Sequence, residues 1–184
     1  MAEYYLISQL PTLDAVGSSS PLPISEEYFM ELCRRFLGKK ALSELNKISL
    51  TPPRSAQKSS SSLINAWNNG ERELRFALGL ARAERMTKAF DCEVVISPAR
   101  MQAARSVVEI KSPLEAEKFL NDYRLAFLES IRPSDSFSED FVFFYLLKLR
   151  LLKRIKDFDA ASGEIAYRNI YASIVDGDRS EATQ

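Results

Sequence analysis

Arg150, Lys153, Arg154 and Asp157 stand at i, i+3, i+4 and i+7, a spacing that places them on one stripe of a helix. Three cations on such a stripe suit electrostatic contact with an acidic protein surface or a phosphate-bearing polymer. The plainer reading is a solvated face whose cations complement the dipole at a helix C-terminus. Both stay open, because Asp159, Glu164, Asp176 and Asp178 follow closely and could neutralise the stripe internally. Lys148 lies just upstream, near the azimuth of Phe144 and Ile155. There a lysine snorkels to water, pairs with a buried carboxylate from another helix, or serves as a desolvated amine for Schiff-base chemistry.

Other chemistry is poorly supplied. The chain has no histidine, which removes the commonest general base and the commonest metal ligand together. Its carboxylates are scattered: Glu71 with Glu73, or Glu115 with Glu117 and Asp122, form no ligand pattern. There is no phosphate-binding glycine motif and no nucleophile elbow. Cys33 and Cys92 form no C-x-x-C pair, and Cys33 keeps helical phase with Phe29, Leu32 and Phe36, as a core residue does. Glu71 and Arg75 have the spacing of a structural i, i+4 pair, with Arg82 and Arg85 further along the same segment. No cofactor, metal or catalytic residue is nominated.

The elements that must position these residues read as all-α, a compact bundle of about six helices. At 184 residues the chain is long enough for one domain with a substantial core. Residues 4–16 hold Tyr4, Tyr5, Leu6, Ile7, Leu10 and Leu13 and fit a short extended segment or a short helix equally well. Ser25 is the expected N-cap of a helix to Leu37, with Gly38 as its C′ residue. A shorter apolar series, Leu42, Leu45 and Ile48, follows. The stretch 49–62, SLTPPRSAQKSSSS, reads as a mobile loop that separates an N-terminal lobe (1–48) from a main bundle (63–175).

Residues 63–90 are helical, with Asn68-Asn69-Gly70 as the expected interruption and small residues Ala77, Gly79, Ala81 and Ala83 on two flanks. A weaker helix starts near Pro98. Ser112, Pro113 and Glu115 open another, with Leu120, Tyr123, Leu125 and Phe127 on its buried side. Ser136 and Glu139 have capping-box spacing before FVFFYLLKLRLLKRIKDF (141–158). Seven apolar residues open that stretch, so its first half is apolar all round and its second half is amphipathic. A last short helix spans 164–175, and 176–184 is a disordered tail.

Lys+Arg and Asp+Glu are both 25, a balance that disfavours non-specific nucleic-acid binding. The N-terminus lacks the features of a signal peptide, and no apolar run approaches the about 18 residues a spanning helix needs. These traits predict a soluble, cytoplasmic protein.

Several phrases taken together, YYLISQLPTL, PLPISEEYFMELC, ELRFALGLARAERM, SPLEAEKFLNDYRLAFLE and FYLLKLRLLKRIKDFDAASGEIAYRNIY, resemble a family of bacterial proteins encoded among the subunits of V/A-type rotary ATPases. The resemblance covers most of the chain and rests on the order of its segments. It implies a non-catalytic accessory or stalk component, analogous to the helical C/d subunit between the central rotor stalk and the membrane ring. It further implies rotor or stalk subunits as partners and a cytoplasmic place peripheral to the inner membrane. On that reading Arg150, Lys153 and Arg154 would meet acidic surface on a neighbouring subunit. A generic helical adaptor and a nucleic-acid binder that adds Arg100 and Arg105 to the stripe are the competing expectations.

Overall fold

The computed structural model describes residues 2–14, 20–53, 58–91, 94–157, 163–165 and 167–172. Its helices are α1 (Ala2–Gln9), α2 (Glu26–Phe36), α3 (Lys39–Lys47), α4 (Ser62–Arg85), α5 (Pro98–Glu109), α6 (Pro113–Ser130) and α7 (Glu139–Asp157). Residues 163–165 and 167–172 are helical as well, and no strand occurs among the described residues. The architecture is all-α. Cys92, Asp159 and residues 173–184, with the expected tail and its two aspartates, lie outside the described residues.

Helix α7 is the centre of the main core. Every residue from Val142 to Leu149, and then Leu151 and Leu152, is buried. Around it gather Leu6 of α1, Phe29, Leu32 and Cys33 of α2, Leu45 of α3, Trp67 of α4 and Leu128 of α6. Each such aliphatic or aromatic side chain withdrawn from water contributes about 1.5–3 kcal/mol before conformational entropy is subtracted. A second, smaller core joins Leu74, Ala77, Leu78 and Ala81 of α4 to Ala104 and Val107 of α5 and Leu120 of α6. Alanines on both sides let α4 and α5 approach closely, which explains the flank of small residues in α4.

Local signals set several helix starts. The hydroxyls of Ser25, Ser61 and Ser112 accept hydrogen bonds from the backbone N–H groups of Tyr28, Ile64 and Glu115 at 3.2, 3.1 and 3.4 Å. At α7 the cap is Ser138, whose hydroxyl accepts from Phe141 N–H at 3.3 Å, and not the expected Ser136. Asp135 accounts for the shift: it accepts from Phe137 N–H at 2.9 Å and from the Ser138 hydroxyl at 2.8 Å, so residues 135–138 form a turn.

One open alternative is settled and three further expectations are corrected. The N-terminal aromatic segment is helix rather than extended chain, because Leu6, Ile7 and Leu10 reach the core at helical spacing while Tyr4 and Tyr5 face water. Gly38 is not a left-handed C′ residue; it has φ −68 and opens α3. The buried face of α6 is Leu120, Asn121, Arg124 and Leu128, with Tyr123, Leu125 and Phe127 only partly covered. Asn68-Asn69-Gly70 does not interrupt α4. A Cβ on Gly70 would overlap the Phe127 ring and stand 2.9 Å from Arg100 Nη2, so glycine serves a close approach of α6 there.

The end of α4 is also unusual. Thr87 takes φ 54, the left-handed region where a β-branched residue is strained. Its N–H donates to Glu84 C=O at 3.2 Å and Lys88 N–H donates to Ala83 C=O at 2.9 Å, the paired bonds of a Schellman ending.

Candidate functional site

The basic stripe is largely spent inside the molecule. Arg150 donates from Nε and Nη2 to Glu26 Oε1 at 2.9 and 2.6 Å, and from Nη1 to Ile48 C=O. It therefore ties α7 to the first turn of α2 and the C-cap of α3. Arg154 Nη2 lies 2.5 Å from Glu117 Oε1 on α6. Lys153 and Asp157 remain exposed. An open cleft of about 420 Å³ runs over these residues, with Glu26 and Leu50 on its wall. Glu164, one of the acids expected to neutralise the stripe, pairs instead with Arg168 at 2.6 Å.

Arg154 is the outer end of a chain of charges that crosses the bundle. Glu117 also approaches Arg124 Nη1 at 3.6 Å. Arg124 in turn grips Glu71 of α4, Nε to Oε2 at 3.0 Å and Nη2 to Oε1 at 3.1 Å. Arg75 Nε completes Glu71 at 3.0 Å, the i, i+4 pair read from sequence, and Asn121 Oδ1 accepts from Arg124 Nη1 at 3.4 Å. Glu71 and Arg124 are both buried, so each is the other's replacement for water. Sequence reading missed this pair. A signal was present: Glu71 falls in phase with Trp67, Leu74 and Leu78, and Arg124 lies four residues from both Leu120 and Leu128. Single charges of opposite sign on two apolar faces can be buried only together.

Lys148 is held by two carboxylates. Its Nζ contacts Asp14 and lies 2.5 Å from Glu129 Oε1, and 5.8 Å from the centroid of the Phe144 ring. Burial alone pushes the ammonium pKa down. Hydrogen bonds to Asp14 and Glu129, with their charges, outweigh that and raise it above the usual lysine value. The hydrogen bond from Lys148 holds Asp14 below its usual value, against a smaller opposing effect of burial. Beside it, the Tyr145 hydroxyl donates to Pro11 C=O at 2.8 Å. The two contacts strap residues 11–14 across α7. A lysine protonated and doubly paired has no free amine for carbonyl chemistry.

The remaining candidates are structural in the same way. Arg100 Nη1 pairs with Glu73 at 2.8 Å and its guanidinium lies 4.8 Å over the Phe127 ring. Glu73 also accepts from Ser97 N–H at 2.5 Å, so a carboxylate of α4 caps α5. Desolvation opposes ionisation of Glu73, yet the bonds from Ser97 and Arg100 leave its pKa lowered. Arg105 pairs with Glu84 at 3.4 Å. Arg100, Arg105, Arg150 and Arg154 are thus each matched by a carboxylate. Cys33 is wholly buried, and desolvation pushes its thiol up to about 12. Among the described residues, no group of three or more carboxylates and thiols could hold a metal ion. None of the described helices is long and apolar enough to cross a membrane.

The exposed surface carries apolar groups that sequence reading passed over. Ile165, Tyr167, Ile170 and Tyr171 are all about 60% exposed or more, and the rings of Tyr167 and Tyr171 stack at 6.3 Å. Tyr167, Ile170 and Tyr171 have i, i+3, i+4 spacing and so share one helix face. At another place Tyr4 lies 4.9 Å from Phe137, and both rings face solvent. No family model matches this chain, and no curated protein or solved structure does either.

Proposed function

We propose that the chain is a non-catalytic accessory or stalk subunit of a V/A-type rotary ATPase, acting through protein–protein contacts. The family reading rests on the resemblance of its ordered sequence segments. The observation that carries the contact role is the solvent-exposed apolar side chains of Tyr167, Ile170 and Tyr171. Three apolar anchors at i, i+3 and i+4 suit insertion into a groove on a larger partner. The body beneath is stiffened by ion pairs that link α4, α6 and α7, as suits a part that transmits force.

Contact through the basic stripe is the weaker half of this reading, since Arg150 and Arg154 are held by Glu26 and Glu117 and, of its three cations, Lys153 is the exposed one. The test is affinity purification of the full chain from its native host. Rotor or stalk subunits are expected in the bound fraction, and serine at positions 167, 170 and 171 should release them while helicity is retained. A bound fraction without ATPase subunits would leave a generic helical adaptor. Retention of the ATPase by the triple variant would move the contact elsewhere.

A further inference from the structure

We infer that the groove between the C-terminal end of α4 and the α5–α6 corner docks an amphipathic helix from a partner protein, one with carboxylates beside its apolar stripe. This rests on the contact role proposed above but uses a different surface. The groove encloses about 310 Å³; its floor is Met86, Val107, Val108, Ile110 and Ala116, and its rim is Arg82 and Arg85. Val108, Ile110 and Ala116 are half-buried, so apolar atoms line an opening that faces solvent.

Charge complementarity selects the occupant. No carboxylate of the described residues pairs with Arg82. Arg85 uses Nη1 on Val108 C=O at 2.5 Å and is likewise without an acidic partner among them. The nearest acid in sequence, Glu84, is committed to Arg105. Two cations exceed what the α4 dipole needs at its C-terminus, and each offers further donors for charge-assisted bonds to carboxylates. A nucleic acid would satisfy the arginines but leave the aliphatic floor uncovered. A basic helix would be repelled. An apolar face flanked by Asp or Glu satisfies floor and rim at once.

Two more features shape the groove. Met86 is 60% exposed, and its flexible thioether adapts to the contours of an incoming side chain. It is the C-cap of α4 and precedes Thr87, whose left-handed conformation ends the helix.

The test is photo-crosslinking with benzoylphenylalanine in place of Met86, in the full chain expressed in its native host. The crosslinked peptide should carry apolar residues at i, i+3 or i+4 with Asp or Glu alongside. Arg82→Glu should cut the yield about tenfold, and reversing the captured carboxylate to lysine should restore it. Arg82 is exposed, so its variant keeps the melting temperature, which separates lost docking from lost folding. Absence of a crosslink, capture of a basic or uncharged peptide, capture of a second copy of this chain, or indifference to Arg82→Glu would each overturn the inference. Co-purification with the ATPase but no crosslink sinks the groove alone. An acidic helix captured from an unrelated protein sinks the ATPase reading alone.

Discussion

Glu71 of α4 and Arg124 of α6, 53 residues apart, face each other through two nitrogens and two oxygens with almost no access to solvent. Such a pair is costly to bury and more costly to break. Arg124→Met should destabilise the chain by about 3–5 kcal/mol in urea unfolding, because it leaves the buried Glu71 carboxylate with only the half-exposed Arg75 as a charged partner. The double variant Glu71→Leu with Arg124→Met should recover most of that loss. Equal damage from the single and double variants would show that the carboxylate is not the penalty.

The strap at Lys148 makes stability depend on pH at both extremes. The lowered pKa of Asp14 means its contribution is complete above 3.8 and declines as pH falls through the folded value. Lys148 has a raised pKa, so its contribution is complete below 10.5 and declines as pH rises through the folded value. Asp14 is exposed, so solvent screens its share and the acid limb is the shallower one. Lys148→Met should be less stable at neutral pH and lack the alkaline limb in thermal melts taken across pH. A wild-type limb that persists in the variant belongs to another group.

Arg150 and Lys153 are neighbours on one stripe with different duties. Arg150→Glu sets a negative charge against Glu26 and abandons the Ile48 carbonyl, so it should cost about 1–3 kcal/mol. Lys153→Glu changes an exposed side chain and should stay within about 0.5 kcal/mol. Denaturant midpoints compare the two directly. Matching midpoints would mean that the Arg150 contacts do not hold in solution.

At Thr87 a simpler residue should do better. Glycine at a left-handed C′ position removes a steric cost of about 1–2 kcal/mol, less the extra freedom it gives the unfolded chain. Thr87→Gly should therefore raise the melting temperature by about 2–4 °C. A lower melting temperature would mean that the threonine side chain makes a compensating contact.

What could be read from sequence was local. The caps at Ser25 and Ser112, and the change of α7 from wholly apolar to amphipathic, each lie within a few adjacent residues. Hidden features depended on distant partners. Gly70 reads as a helix breaker until Phe127 is brought against it. Arg154 has acids close by in sequence, yet the carboxylate beside it, Glu117, comes from α6. The stripe thus mixes two internal ties with one exposed cation, a distinction no helical wheel can draw. Leu6 was ambiguous for the same reason, since only its packing against the core decides between strand and helix.

Because α7 supplies the middle of the main core and comes so late in the chain, synthesis and packing are out of step. Phe29, Leu32, Leu45 and Trp67 leave the ribosome well before Leu146 and Leu147 exist to receive them. At ordinary elongation rates the interval between α3 and α7 is on the order of ten seconds. Throughout it the nascent polypeptide displays a sticky, half-assembled interior, a natural client for holding chaperones.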